Sequence, residues 1–177
     1  MGEVFRRLLL EYAEYHRDAR NCLMHLIGNP ILALAAFLPF SLLPITVLGV
    51  HTNAAALLVI PALAFWMLLD LTIGLAIVAT AIPLLLAAAL IVAHVSVVWV
   101  FIIAIGLSVF GWVLQVIGHK YFEGGWPALL DNPIHMLMSP MFVFAKLYVS
   151  LGLRPDLMAI IREPALQVPH RSVGQHP

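Results

Sequence analysis

The sequence has few charges, and its middle has almost none. Charged residues make up 10% of the 177 residues and apolar residues 63%, with a mean hydropathy of +1.02. All nine Lys and Arg residues lie at Arg20 or earlier, or at Lys120 or later, and Asp70 is the only formal charge between Met24 and Gly118. Because surface helices of soluble proteins need a charged face, this pattern excludes a soluble protein and predicts a membrane protein.

Two further scarcities exclude other classes. Cys22 is the single cysteine, so an internal disulfide and a cysteine-rich zinc motif are excluded. The net charge is zero and no basic stripe is interleaved with aromatic residues, which argues against a nucleic-acid partner. The N-terminal residues are charged and amphipathic, without the short apolar core and cleavage site of a signal peptide, so we expect no cleaved leader.

Polar residues interrupt the apolar stretch at three places, which predicts four membrane-spanning helices. The breaks are His51-Thr52-Asn53, Asp70 with Thr72 and Gly74, and His94 with Ser96. The predicted spans are residues 31–50, 54–69, 71–93 and 96–117, against the roughly 20 residues that a crossing needs. We therefore predict an all-α polytopic protein with a single domain over residues 1–165. Residues 166–177, polar and rich in proline, are predicted to be a disordered tail.

An even number of crossings brings both ends of the chain to one side of the membrane. Lys and Arg flank only those ends, so the positive-inside rule places both ends in the cytoplasm, at the inner membrane of a bacterium or the endoplasmic reticulum of a eukaryote. Asp70 then also faces the cytoplasm. His51 and His94 fall on the opposite side, which removes them from any site at the ends.

Four of the eight histidines, His16, His25, His119 and His135, lie in the two polar end segments. Imidazole clusters suit Fe, Zn, Cu or Ni. His16 and His25 are nine residues apart, about 180° around a helix, so both can be ligands only if the helix breaks between them. Asn21 is predicted to be that break and an N-cap. Beyond His119, the Gly124-Gly125 pair should end the helix and Pro127 begin the next, which aims His135 at the same point.

Each of these residues also has a simpler interpretation. A lone histidine near a membrane interface is more often a polar anchor than a ligand, and only their convergence favours a metal-binding cap. Glu123 is a ligand, an acceptor for a ligand imidazole, or an i,i+4 partner of His119, and the second role is predicted. Asn21 and Asn132 are interpreted as helix caps. Gly28, Pro30, Gly118 and Pro127 are interpreted as residues that bend or end a helix.

Two motifs together resemble one known family over most of the chain. The first is Tyr12-x3-His16-x4-Asn21-x3-His25-x2-Gly28-x-Pro30, and the second is Gln115-x2-Gly118-His119-x3-Glu123-x3-Pro127-Ala-Leu followed by Asn132-x2-His135. The sequence is similar in these motifs to the Mpo1-like family, whose fungal members are iron(II)-dependent dioxygenases of 2-hydroxy fatty acids. One departure is Lys146, at a position where the family pattern has an acidic residue.

The resemblance implies that His16, His25, His119 and His135 bind Fe²⁺, with zinc as a substitute metal, and that Glu123 supports them. The implied reaction takes a long-chain 2-hydroxy fatty acid and O2 to a fatty acid one carbon shorter, with carbon dioxide and water. Two alternatives stay open. One is a non-enzymatic membrane bundle with a structural metal site. The other is a di-iron lipid hydroxylase or desaturase, whose HxxxH and HxxHH boxes are missing here. Whether the chain forms a homo-oligomer is left open.

Overall fold

The computed structural model of the chain describes residues 2–127 and 133–162, and these are mostly helical. The elements in order are α1 (Glu3–Glu14), α2 (Ala19–Ser41), β1 (Pro44–Val47), β2 (Val50–Asn53), α3 (Ala54–Leu69), α4 (Leu71–His94), α5 (Val97–Ile117), a π-helix (Gly118–Glu123), α6 (Ile134–Ser150), a 3-10 turn (Pro155–Leu157) and α7 (Met158–Arg162). The predicted tail at residues 166–177 and the predicted cap Asn132 lie outside the described residues.

Within residues 2–127 and 133–162, three helices are long and apolar enough to cross a membrane: α2, α4, and α5 together with the π-helix that continues it. A fourth span is available if α6 and the helical turns after it, bent by 115°, count as one, while α3 is shorter at 16 residues. Large apolar side chains point outward from the bundle, among them Leu86, Leu90 and Ile105 at about 60% exposure each. Exposed apolar surface on this scale suits lipid. The predicted class, an α-helical multi-pass membrane protein, is confirmed.

The predicted first span, residues 31–50, is wrong at both ends. The helix begins at Ala19 and ends at Ser41. Its first turns include Asn21 and His25, whose polar side chains are buried against other elements and do not mark a loop. Residues 44–53 instead form a β-hairpin, whose turn residues Leu48 and Gly49 have φ values of +51° and +82°. Left-handed conformations at both central residues are typical of the tight hairpin turns that match strand twist.

The two cores of the bundle lie at opposite ends of the long helices. One packs α1, α6 and α7 onto the first turns of α4, at Ile73 and Ile77, and the other joins Leu38, Ala88 and Val100. From the first end, α2 runs to the hairpin, α3 returns, α4 runs out again and α5 comes back. The start and the end of the described chain therefore meet at one end of the bundle. His51 and His94 lie at the other, as the polar breaks predicted.

A buried ion pair locks the elbow after α6 onto the corner between α3 and α4. Asp70 caps α4 by accepting the backbone N–H of Ile73 at 3.1 Å. Its two carboxylate oxygens also accept from the guanidinium of Arg154, at 3.0 Å each. The Asp70 side chain is 8% exposed and that of Arg154 16%. This bidentate pair holds the segment after α6 at the end of the bundle where α3 and α4 meet.

Candidate metal centre

The helix breaks between His16 and His25, as their spacing requires for a shared site. Helix α1 ends at Glu14, and Asp18 begins α2 as its N-cap by accepting the backbone N–H of Arg20 at 2.7 Å. Bonds from Arg20 lower the pKa of the Asp18 carboxyl to about 2. The prediction of Asn21 as the break and cap is wrong, because Asp18, three residues earlier, takes that role and Asn21 lies inside the helix.

The π-helix delivers His119 and turns Glu123 towards α2. It ends at Gly124, whose φ of +69° confirms the predicted glycine stop. The π-helix stands where the spacing of His119 and Glu123 predicted an α-helical turn. Glu123 Oε1 accepts from the backbone N–H of Asp18 at 2.9 Å and from Asn21 Nδ2 at 3.0 Å. Its carboxylate thus fixes the helix break beside His16, and its predicted bond to a ligand imidazole is not among these contacts.

Three imidazoles converge where these segments meet. The Nε2 atoms of His16 and His25 lie 3.1 Å apart, and those of His25 and His119 also lie 3.1 Å apart. The candidate ligand atoms of all three lie within 4.8 Å of one another. The side chains are at most 4% exposed. The predicted convergence of these three histidines across a helix break is confirmed, and their role as metal ligands stays a prediction.

The facing nitrogens are arranged as a cation would require. His16 Nδ1 donates to the carbonyl oxygen of Tyr12 at 2.9 Å, so Nε2 of the neutral ring carries a lone pair. His25 Nε2 has at most one proton, so it cannot donate to both neighbours. Nitrogens at right angles and about 2.1 Å from one ion are separated by about 3.0 Å, which is close to both contacts. The donor set therefore fits a metal ion.

Burial keeps His16 in the form that binds metal. Burial and the neighbouring His25 lower the pKa of His16 well below its usual value. The ring stacks on Tyr12 with centroids 3.9 Å apart and an interplanar angle of 11°. Burial also raises the pKa of the Tyr12 hydroxyl. A neutral imidazole beside a neutral phenol follows, and metal binding needs the neutral imidazole.

The structure places His135 beside this group. It is 4% exposed at the start of α6, with its ring in edge contact with Tyr12 at 5.7 Å between centroids, and 5.6 Å from the ring of Tyr15. It lines the same cavity as His25 and His119. His135 as a fourth metal ligand stays a prediction.

Gly28 and Gly118, which were interpreted as residues that bend or end a helix, instead allow α2 and α5 to approach closely. A Cβ on Gly28 would lie 2.9 Å from Gln115 Nε2, and one on Gly118 would overlap Asn21 Oδ1. Both lie inside continuous helical structure. The interpretation of these two glycines as helix-bending or helix-ending residues is wrong, because they make room for polar side chains of the facing helix.

A cavity of about 870 Å³ runs from the histidines into the bundle. His25, His119 and His135 line one end, and Phe40 and Leu58 line the other, with mostly apolar side chains of α2, α3, α4 and α5 between them. The polar exceptions near the histidines include Asn29, Gln115 and Ser139. Sequence analysis assigned no role to these three, although Asn29 follows His25 by four residues and so had to share its helix face.

Lys146, which stands where the family pattern has an acidic residue, forms a hydrogen bond with Cys22. Its Nζ donates to Cys22 Sγ at 2.7 Å, and it lies 5.7 Å from the centroid of the Phe142 ring. Lys120 and Arg20 also stack on aromatic rings, those of Trp126 and Phe122 respectively. No carboxylate role is available at position 146.

Comparison with known proteins agrees with the site. The model of a family described as 2-hydroxy-palmitic acid dioxygenase Mpo1-like matches residues 3–151. The 2-hydroxy-palmitic acid dioxygenase MPO1 of Saccharomyces cerevisiae is 32% identical over 163 residues, which cover 92% of this chain and 89% of the relative. No solved structure matches the chain. The matched range contains all three converging histidines, and the chain belongs to the Mpo1-like family.

Proposed function

We propose that the protein is an iron(II)-dependent dioxygenase of long-chain 2-hydroxy fatty acids, a class that includes the named substrate of its yeast relative. One observation carries the proposal: three buried imidazoles present their Nε2 atoms at the head of a cavity that continues between membrane helices. A structural metal site needs no such cavity. The reaction removes the carboxyl carbon, so that a 2-hydroxy acid and O2 give a fatty acid one carbon shorter, carbon dioxide and water.

The ligand set suits this chemistry. We assign His16, His25 and His119 as iron ligands and His135 as a fourth, with Glu123 holding the helix break that places His16. Iron(II) bound there would supply the activation of O2. The cavity meets the histidines at its head, so a 2-hydroxy acid lying in it would bring its hydroxyl and carboxylate oxygens to the site from that side. The chain's own part is to hold neutral imidazoles in place and to keep water from the site by burial.

The length of the cavity supports a long acyl chain. His25 and Phe40 are fifteen residues apart on α2, which is about 22 Å of helix. An extended alkyl chain advances about 1.25 Å per carbon, from single bonds of about 1.5 Å, so sixteen carbons need roughly 19 Å. The cavity volume of about 870 Å³ lies within the range of ligand pockets. The acyl tail would thus lie along α2 within the bilayer while the head group reaches the histidines.

The orientation in the membrane follows from charge. Lys and Arg lie only in the end segments, which meet at the metal end of the bundle, and the hairpin end carries none. By the positive-inside rule, the metal end belongs in the cytoplasm. Substrate would reach it from the cytoplasmic leaflet.

The proposal is tested with the full chain purified without oxygen in detergent and loaded with Fe²⁺. Addition of 2-hydroxypalmitate should consume one O2 for each carbon dioxide released, and mass spectrometry should detect the fifteen-carbon acid. Palmitate, which lacks the hydroxyl, should consume none. Iron-loaded protein that turns over no 2-hydroxy acid of any length would overturn the proposal and leave the structural metal site as the explanation of the histidines.

A further inference from the structure

Three polar side chains beneath the histidines form one chain of hydrogen bonds, which we call the serine bridge (Ser139, Asn29 and Gln115). His25 Nδ1 lies 3.1 Å from Ser139 Oγ, and Ser139 Oγ donates to Asn29 Oδ1 at 3.0 Å. Gln115 Nε2 donates to the same Oδ1 at 3.1 Å. We propose that the serine bridge selects the Nδ1–H tautomer of His25 and so makes its Nε2 a metal ligand. This inference rests on the metal site of the proposed function.

The direction of the bonds follows from the groups themselves. A hydroxyl has a single proton to donate, and the carbonyl oxygen of Asn29 can only accept. Because Ser139 gives its proton to Asn29, its oxygen has only lone pairs to offer His25. His25 Nδ1 must therefore carry the proton of the neutral ring, and Nε2 then carries the lone pair.

The tautomer decides what the three histidines can do. His25 Nε2 lies 3.1 Å from the Nε2 atoms of both His16 and His119. If it carried a proton, it would donate to one neighbour and fill the space between the rings with a hydrogen bond. With the proton held on Nδ1, lone pairs of His16 and His25 face each other, and a metal ion is what relieves their repulsion.

The serine bridge leaves one buried hydrogen-bond donor without an acceptor, which lowers the stability of the fold. With its carbonyl oxygen bonded twice, Asn29 leaves Nδ2 buried, and within residues 2–127 and 133–162 nothing accepts from it. An unsatisfied buried donor costs about 1–3 kcal/mol. The three members come from α2, α5 and α6, so the serine bridge also couples the packing of these helices to the orientation of one ring. Ser139 thus takes the supporting role that sequence analysis had predicted for Glu123.

The test measures metal affinity without substrate or oxygen. The full chain, metal-free and in detergent, is titrated with Co²⁺ against a competing chelator, and the visible absorption of bound Co²⁺ reports the ligand field. Ser139→Ala should bind Co²⁺ about 10 to 100 times more weakly, as for other partners that orient a ligand. Ser139→Thr keeps the hydroxyl and should restore most of the affinity and the spectrum.

Two more variants separate the hydroxyl from packing. Thr80→Ala is the matched control, because Thr80 lines the same cavity but donates to the backbone of its own helix, at Ala76; its Co²⁺ affinity should not change. Asn29→Leu leaves Ser139 in place but removes its acceptor, which frees the hydroxyl proton to point at His25, and affinity should fall again. Asn29→Leu also serves if Ser139→Ala does not fold.

Three outcomes would overturn the inference: Ser139→Ala binding as tightly as the unaltered chain, Ser139→Thr binding as weakly as Ser139→Ala, or Thr80→Ala losing as much. Failure of the proposed function is distinguishable. If Co²⁺ affinity depends on Ser139 but iron-loaded protein consumes no O2 with 2-hydroxy acids, the function falls and the serine bridge stands. If the unaltered chain binds no Co²⁺, the metal site and the serine bridge fall together.

Discussion

Blocking the cavity part of the way along α2 should shorten the preferred substrate by a calculable amount. Ala33 lines the cavity eight residues beyond His25, or about 12 Å along the helix. At about 1.25 Å per carbon, a phenylalanine at this position leaves room for roughly ten carbons of extended chain. Ala33→Phe should therefore move the best substrate from about sixteen carbons to about ten.

The magnitude follows from the methylenes that lose their binding surface. For a sixteen-carbon substrate about six methylenes would no longer be buried, at about 0.8 kcal/mol each. A total near 5 kcal/mol corresponds to a loss of about three to four orders of magnitude in kcat/KM. For a ten-carbon substrate the expected change is small, because the blocked part of the cavity is one that it does not reach.

The assay compares kcat/KM for 2-hydroxy acids of even length from eight to eighteen carbons, by O2 consumption, in both proteins. Ala64→Phe is the matched control, since Ala64 lies exposed on α3 and does not line the cavity. Equal losses at every chain length in Ala33→Phe, or an unchanged length profile, would refute the placement of the acyl chain along α2.

Three further predictions concern the site and its frame. His25→Ala should lose stoichiometric metal, because the remaining nitrogens lack the central ligand, while His94→Ala at the far end should keep it; elemental analysis of purified protein decides. Gly118→Ala should destabilise the fold by about 1–3 kcal/mol through overpacking between α2 and α5, measured by denaturant unfolding in detergent. Asp70→Asn should cost about 3–5 kcal/mol in the same measurement, because it leaves the mostly buried Arg154 without the Asp70 charge. Arg154 also donates to the carboxylate of Asp156, at 2.9 and 2.8 Å. An unfolding midpoint unchanged in Asp70→Asn would show that Asp156 alone suffices for that arginine.

The sequence predicted the class and the helix boundaries near residues 53, 70 and 94 because both depend on where charged and polar groups can reside. A stretch with Asp70 as its only charge needs lipid around it, and polar breaks near residues 51, 70 and 94 had to fall at the ends of helices. The bounds of α2 were predicted poorly because the prediction took every polar residue as the end of a span. Asn21 and His25 look like loop residues in a hydropathy pattern, but in the folded chain they are buried polar groups with partners, which only packing reveals.

The site divides in the same way. Histidine spacing and chain parity were enough to bring His16, His25 and His119 together, since a break between the first two and an even number of crossings are local and topological properties. Glu123 was predicted to support a ligand imidazole, and in the structure its carboxylate accepts from Asp18 and Asn21. These contacts join residues more than one hundred positions apart, and no local pattern in the sequence signals them.

By itself, then, the sequence determined that this protein lies in a membrane, that its ends meet, and which imidazoles can converge. These properties depend on charge, segment length and residue spacing, which can be read along the chain. Only the tertiary structure decided which atoms face that point. Ser139 reaches His25 from α6, and Gln115 reaches Asn29 from α5, across more than eighty residues of sequence in each case. The cavity likewise exists only between helices, and its length is set by how five of them pack.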